Sequence, residues 1–367
     1  MIQNITSDLQ VHITRVRRYL QDHRVADRPR FEKFRFRFYE DLWRKTAANM
    51  GAEIEDFGNG YFKITYNGDW TFVLEAKVML DDHLSLRMAG NKPLVHRLLS
   101  EGNYPIQDYC EYSMHDLGKA MDFIRKTGGP CVVKPAAGSG AGNGITTKIL
   151  TRGQLKKASL WAATFSPRLL IEQEIPGDSY RLIYLGGEFL DAVRRNPPTV
   201  MGDGRSSIKK LMLEENRRRL TDAKLTALSP LVIDYETILC LRRQGLTLRH
   251  VPEPGEKVLL KTVCNQNTAA ENESVTAEVH PDTIRYGAEI ARMFKLELVG
   301  VDLITPDVSK PLEAVGGVIN EINTNPGIHH HYLINNPAEG VPVAQKIIEY
   351  IFAKASQQTP TIRYAQD

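Results

Sequence analysis

Four cysteines in 367 residues, Cys110, Cys131, Cys240 and Cys264, are scattered with no C-x-x-C pair. That scarcity excludes a disulfide framework and a cysteine-built zinc site, and the expected compartment is the reducing cytoplasm. No run reaches the ~18 apolar residues of a membrane span, and Met1 to Leu20 lacks the apolar core of a signal peptide. Charge of one sign is also lacking: 47 Lys and Arg against 44 Asp and Glu leave +3. Basic residues gather at Arg15, Arg17 and Arg18 and from Arg24 to Arg37, which reads as a solvated helical face and not as a nucleic-acid surface. What remains is 42% hydrophobic and 25% charged, the balance of a globular protein, and the length suits two or three packed subdomains.

The centre of the chain is Cys131 to Leu150, CVVKPAAGSGAGNGITTKIL. A β-branched run ending in Lys134 leads into Gly138, Ser139, Gly140, Gly142 and Gly144. Glycine lets backbone N–H groups approach a bound anion, successive N–H groups form a concave phosphate nest, and Lys134 adds a point charge at its root. Ile145-Thr146-Thr147 then favours a strand, whereas the P-loop and the dinucleotide fingerprint lead into a helix. The stretch therefore reads as a phosphate flap on a hairpin, the alternative being a plain flexible tip.

Upstream, Phe31, Phe34, Phe38 and Leu42 recur at helical spacing before Gly51, and Asn67-Gly68 marks a hairpin between Tyr61 to Tyr66 and Asp69 to Ala76. Asn91 to Gly102 reads as a helix with Lys92 at its start, where a lysine opposes the helix dipole and is available to a ligand. Ser113 and Asp116 are expected to form a capping box for a helix that stops at Gly128-Gly129. Leu169 to Ile175 reads as a strand carrying Glu172, which either accepts from a nucleotide base or faces water on an edge. A second hairpin, Tyr180 to Leu185 and Glu188 to Arg194, presents Arg181, Arg194 and Arg195, whose planar forks suit carboxylate and phosphate. Lys257 to Val263 is expected to be a short strand.

Near the end, Leu298 to Thr305 and Gly317 to Thr324 read as paired strands. Symmetric pairing sets Asp302 opposite Glu321, and period two puts Asn323 on the face of Glu321. Two facing carboxylates in an apolar setting cost on the order of several kcal/mol unless a cation lies between them. Hard oxygen ligands suit Mg²⁺; the alternative is an ion-pair network with Lys or Arg. His329, His330 and His331 follow, and adjacent loop histidines seldom converge on one ion, so they read as substrate contacts.

A glycine-loop hairpin followed by this Asp/Glu/Asn hairpin resembles the ATP-grasp superfamily. The segments NKPLVHRLL, PCVVKPAAGSGAGNGITT, IEQEIPGDSYRLIYLGGEFLDAVRRNPPTVMGDG, GVDLITPDVSKPL and INEINTNPG are similar, in order, to the ATP-grasp part of cyanophycin synthetase. The resemblance implies an α+β fold with two subdomains clasping ATP. The expected division is an N-terminal α/β subdomain at 1–90, a central subdomain with the flap at 91–178, and a C-terminal subdomain with the metal hairpin at 179–367. Lys92 and Lys134 would bind the phosphates, Gly138, Ser139, Gly140, Gly142 and Gly144 would close over them, and Glu172 with Ile175 would lie at the adenine. Asp302, Glu321 and Asn323 would hold Mg²⁺, while Arg181 with Arg194 or Arg195 would stabilise an acyl phosphate.

The implied activity is a carboxylate–amine ligase that consumes ATP and releases ADP and phosphate. Its partners would be a small-molecule carboxylate, an amino acid or peptide, and an amine, with neither nucleic acid nor membrane involved; a homo-oligomer is left open. A counterpart of the Mur-ligase-like half of cyanophycin synthetase is missing from this sequence, so a standalone ligase is expected and repeated polymerisation is not. His96 stands where the family often carries a second lysine, and Ser179 where related ligases place a ribose-binding acid. Two rivals stay open, an ATP-grasp kinase and a nucleotide-binding module without turnover, the second disfavoured by the complete Asp/Glu/Asn set.

Overall fold

Alternating and helical apolar spacings sort this chain into antiparallel sheets covered by amphipathic helices. The computed structural model describes residues 2–25, 28–137, 142–221 and 226–358. Two helices, α1 (Ile2–Val25) and α2 (Arg28–Met50), precede a meander of β1 (Glu53–Asp56), β2 (Tyr61–Tyr66), β3 (Asp69–Leu74) and β4 (Lys77–Val78). Next come α3 (His83–Ala89), α4 (Lys92–Glu101), β5 (Tyr109–Ser113), α5 (Leu117–Thr127), β6 (Cys131–Pro135), β7 (Thr146–Ile149), α6 (Arg152–Ala163) and β8 (Arg168–Gln173). The long hairpin β9 (Asp178–Leu185) and β10 (Glu188–Arg195) is followed by β11 (Thr199–Met201), α7 (Ile208–Arg219), α8 (Tyr235–Arg243), β12 (Lys257–Leu259) and β13 (Asn272–Ser274). The chain closes through α9 (Pro281–Phe294), β14 (Leu298–Thr305), α10 (Leu312–Val315), β15 (Val318–Thr324) and α11 (Val343–Gln358).

Two sheets matter for function. One has the order β5-β8-β6-β7, and the other β13-β10-β9-β14-β15. In the second, Leu182, Tyr184, Val299 and Val301 pack against Ile290, Ala291 and Phe294 of α9 and Val95 and Leu99 of α4. Full burial of each such aliphatic or aromatic side chain is worth roughly 1.5–3 kcal/mol, so the sheet is a rigid platform. Gly287 sets the approach of α9, because a Cβ there would stand 2.1 Å from the Tyr184 ring. The first sheet buries Cys131, Val133, Leu169 and Ile171 against Ala120 and Ile124 of α5 and Leu155, Ala158 and Ala162 of α6.

The first ninety residues spread over both layers. Arg15 on α1 donates from Nε to Thr164 O at 3.3 Å, and the Arg18 guanidinium lies 3.9 Å above the Phe165 ring. Arg15 and Arg18 thus dock α1, while Arg17 and Arg30 stay exposed as a solvated face requires. Tyr39, Trp43 and Ala47 of α2 join Phe62, Ile64 and Val73 of the meander and Ile347, Ile348 and Ile351 of α11 in one core. Elsewhere, the expected capping box at Ser113 and Asp116 does not form: Asp116 caps α5 without a side-chain bond, and Ser113 Oγ accepts from His115 N at 3.2 Å. The reciprocal box sits instead at Thr151 and Gln154, opening α6. The strand expected over Lys257 to Val263 ends at Leu259, and β8 is an interior strand, not an edge.

Candidate active site

Between the two sheets lies a cavity of about 640 Å³ lined by Lys134, Glu172, Arg181, Arg195, Asp302 and Glu321, among others. A volume in that range accommodates a drug-sized or nucleotide-sized ligand.

The first wall is the interior strand pair β6 and β8. Lys134 is buried, and its Nζ lies 2.6 Å from Glu172 Oε1. The same oxygen meets His96 Nε2 of α4 at 2.8 Å. Glu172 is only 3% exposed. Burial alone would push its carboxyl up, but Lys134 and then His96 outweigh that and hold it at about 2. An ionised, doubly paired carboxylate inside a sheet is an anchor for Lys134 and His96 first. The edge-strand reading of Glu172 is thereby excluded, and its expected role as an open acceptor for a base is displaced by these two partners. Ile175 lines the cavity just beyond it.

The second wall is a cross-strand row. Registration places Arg181 of β9 opposite Asp302 of β14, and Asp302 opposite Glu321 of β15. Arg181 Nε donates to Asp302 Oδ1 at 2.7 Å and its Nη2 to Oδ2 at 2.8 Å; Arg195 Nη2 adds 2.9 Å to Oδ2. Burial would raise the Asp302 carboxyl, but Arg181 and Arg195 hold it well below the usual carboxylate range. Glu321 pairs with Lys92, the first residue of α4. A register shift after Asp302 leaves Asn320 as an extra residue on β15. A bulge of this kind re-aims side chains near functional sites, and here both Asn320 and Glu321 line the cavity.

Asp302 and Glu321 therefore face each other as expected, but arginines and a lysine offset their charge. Metal is not needed to hold them together, which corrects the reason given for it. The donor set nevertheless fits Mg²⁺. Asp302, Glu321 and Asn323 all line the cavity and carry hard carboxylate and amide oxygens, while Asn323 Nδ2, buried with no hydrogen-bond partner, suits an oxygen of an anionic ligand beside the ion. Among the described residues no group of three His, Cys, Asp or Glu side chains forms a closed metal cage. Mg²⁺ rarely uses one, taking one or two carboxylates plus phosphate oxygens and water.

Strand alternation separates the arginine doublet. Arg195 reaches the cavity and also donates to Ser179 Oγ at 3.2 Å. Arg194 points the other way and pairs with Glu273 of β13, away from the cavity lining, which corrects the expectation that either arginine of the doublet could face it. Of the flap, Gly138, Ser139 and Gly140 lie outside the described residues. Gly142, at φ +65, lines the cavity and its carbonyl accepts from Asn265 Nδ2 at 3.5 Å. Gly144, at φ +80, is needed for packing: a Cβ there would stand 2.7 Å from Phe165 and 2.9 Å from Pro135. The three histidines diverge. His329 and His330 line the cavity, while His331 Nδ1 is buried 2.5 Å from Asp191 Oδ2.

Sequence reasoning missed several lining residues. Gln107 Nε2 donates to Asn320 Oδ1 at 3.1 Å, and Asn265 and Asn267 come from a stretch with no legible period. Cys264 also lines the cavity, but burial pushes its thiol up to about 11, so it is no nucleophile at neutral pH. Arg35 arrives from α2, for which only packing was expected.

No protein-family model matches the chain. Over 273 residues, 73% of its length, it is 29% identical to cyanophycin synthetase of Trichormus variabilis, 30% of which is spanned. It is 30% identical over 275 residues to cyanophycin synthetase of Geminocystis herdmanii, covering 73% of this chain and 31% of that protein. It is 29% identical over 315 residues to the glutathione biosynthesis bifunctional protein GshAB of Streptococcus mutans, covering 83% and 41% respectively. The crystal structure of a bifunctional glutathione synthetase from Pasteurella multocida matches with a TM-score of 0.54 and 23% identity, over 83% of this chain and 42% of that one. The chain thus spans between 30% and 42% of the length of these relatives, and the structural likeness is one of fold. No helix among the described residues is long and apolar enough to cross a membrane.

Proposed function

From the premise that this chain has the ATP-grasp fold, we propose that it is a cytoplasmic, ADP-forming carboxylate–amine ligase acting on an amino acid or peptide. The carrying observation is the convergence of Lys134, Arg181, Arg195, Asp302, Glu321 and Asn323 on one cavity between two sheets. In this reading the chain divides at about residues 90 and 178, and ATP lies across the cavity. Its base contacts Ile175 and its phosphates run past Lys134 and Lys92 beneath the glycine flap. Asp302, Glu321 and Asn323 would hold Mg²⁺, which when bound would neutralise charge at the phosphates.

A substrate carboxylate oxygen attacks the γ-phosphorus, the bond to ADP breaks, and an acyl phosphate forms. The amine then attacks the acyl carbon, phosphate leaves, and the amine gives up a proton. The protein's part is electrostatic. Arg181 and Arg195, kept in place by Asp302, stand ready for charge that develops on the transferring group, and no protein nucleophile is required. Glu172 positions Lys134, whose ammonium would otherwise be unpaired in a buried strand.

The test is ADP release from ATP over a panel of amino acids and dipeptides, with hydroxylamine as the amine. Acid-dependent ADP together with a hydroxamate is the expected outcome. AMP and pyrophosphate would mean adenylation, a stable phosphorylated product would mean a kinase, and ATP binding without turnover on any acid would mean a binding module.

A further inference from the structure

One end of the cavity is built by α2, far in sequence from every nucleotide-binding motif. Arg35 lines the cavity there beside His329 and His330. Its Nε donates to Glu75 Oε2 at 3.3 Å, and its guanidinium lies 5.7 Å from the Tyr39 ring centre. Among the described residues neither terminal nitrogen of Arg35 donates a hydrogen bond, and the side chain keeps 28% of its exposure. Tyr39 Oη lies 2.8 Å from His329 Nδ1, and the His329 and His330 rings stand 4.1 Å apart. His330 Nδ1 is buried with no hydrogen-bond partner. Burial foremost pushes both imidazoles well below their ordinary range and keeps them neutral; Arg35 and then Arg181 add to it at His329, and His329, Arg181 and Arg195 at His330.

These groups share a chemistry that the phosphate-handling wall does not absorb. Arg181 and Arg195 are bonded to Asp302, whereas Arg35 is held by Glu75 of the meander, so its terminal nitrogens are not committed to that carboxylate. The two terminal nitrogens of a guanidinium match the two oxygens of a carboxylate, and a neutral imidazole supplies one more donor. We propose that Arg35 and His330 form a second anion subsite, so that the acid accepted by this protein carries a carboxylate in addition to the one that is activated. Activation of the other carboxylate rests on the ligase reading; the subsite itself rests on the cavity.

The experiment titrates the full chain, saturated with ADP and Mg²⁺, with aspartate, glutamate and dipeptides containing them, each against its side-chain amide. Wild type is expected to bind the acidic member about tenfold or more tighter than its amide, the scale of a charged hydrogen bond. Arg35→Gln should bring that ratio close to one, with ADP affinity reporting that the variant is folded. Glu75→Gln, which frees Arg35 Nε, should move the ratio the opposite way, and decides the matter should Arg35→Gln fail to fold. Equal affinity for acid and amide in wild type, no binding of any acidic member, or a preference that survives Arg35→Gln would each overturn the subsite. Acid-selective binding with no acid-dependent ADP release would overturn the ligase reading and keep the subsite. Turnover of acids and amides alike would do the reverse.

Discussion

Replacing Asp302 by Asn tests how the charged row is held together. If a metal were what reconciles Asp302 with Glu321, removing one carboxylate would leave the metal-free protein as stable as before, or more so. The structure reverses that sign. Asp302 accepts three hydrogen bonds, two from Arg181 and one from Arg195, and all three side chains are buried. Asparagine keeps one acceptor for Arg181 but turns an N–H group toward a guanidinium and removes the charge that bonds both arginines. Breaking a buried pair in this way costs about 3–5 kcal/mol, because the surviving charge stays desolvated.

The pH dependence follows from the lowered carboxyl of Asp302. Its contribution is fully present above the unfolded carboxylate pKa, near 3.8, and is lost as the pH falls below it, so the deficit of Asp302→Asn should be flat from pH 8 to 5 and shrink in acid. Urea unfolding followed by tryptophan fluorescence, with EDTA present, measures it. The triple variant Asp302→Leu, Arg181→Met, Arg195→Leu should recover much of the loss, since an apolar trio of similar volume often matches a buried ion network. Wild-type stability in Asp302→Asn without metal would refute the ion-pair account.

Arg195→Ala is expected to lower kcat by roughly 10²–10³ with little change in KM for ATP, whereas Arg194→Ala, whose partner is Glu273 on the far face, should stay near wild type in steady-state ADP release. Glu236 is buried beside Thr146 and Asp234, and burial foremost raises its carboxyl from 4.5 to about 8. The folded state then holds a proton that the unfolded state releases, so stability falls as pH rises from about 4.5 to 8. Glu236→Gln should remove that slope, matching wild type near pH 4 and melting higher at pH 8. Gly144→Val forces a β-branched residue to positive φ against Phe165 and Pro135, and should cost about 1–3 kcal/mol in thermal unfolding as well as raising KM for ATP.

Much of this protein followed from local pattern. Period two and turn residues are properties of neighbours in the chain, so the hairpins β2–β3, β9–β10 and β14–β15 could be read directly. With the last of them came the pairing of Asp302 with Glu321 and the shared face of Asn323. The helix of Phe34 and Phe38 and the glycine stop at Gly128 were legible for the same reason. Contacts between strands distant in sequence were not. Only the order β5-β8-β6 makes Glu172 an interior residue bound to Lys134 and His96, and only β9 lying beside β14 brings Arg181 onto Asp302. Strand phase, counted from a register that the tertiary fold supplies, turns Arg195 inward and Arg194 outward. An arginine on a helix that reads as packing, Arg35, becomes a cavity residue because α2 is laid against the sheet that carries the site. Sequence patterns specify which groups are present and which face of an element they share. Which charges meet, and hence which are ionised, paired or free for a ligand, depends on distances that arise only when the elements pack.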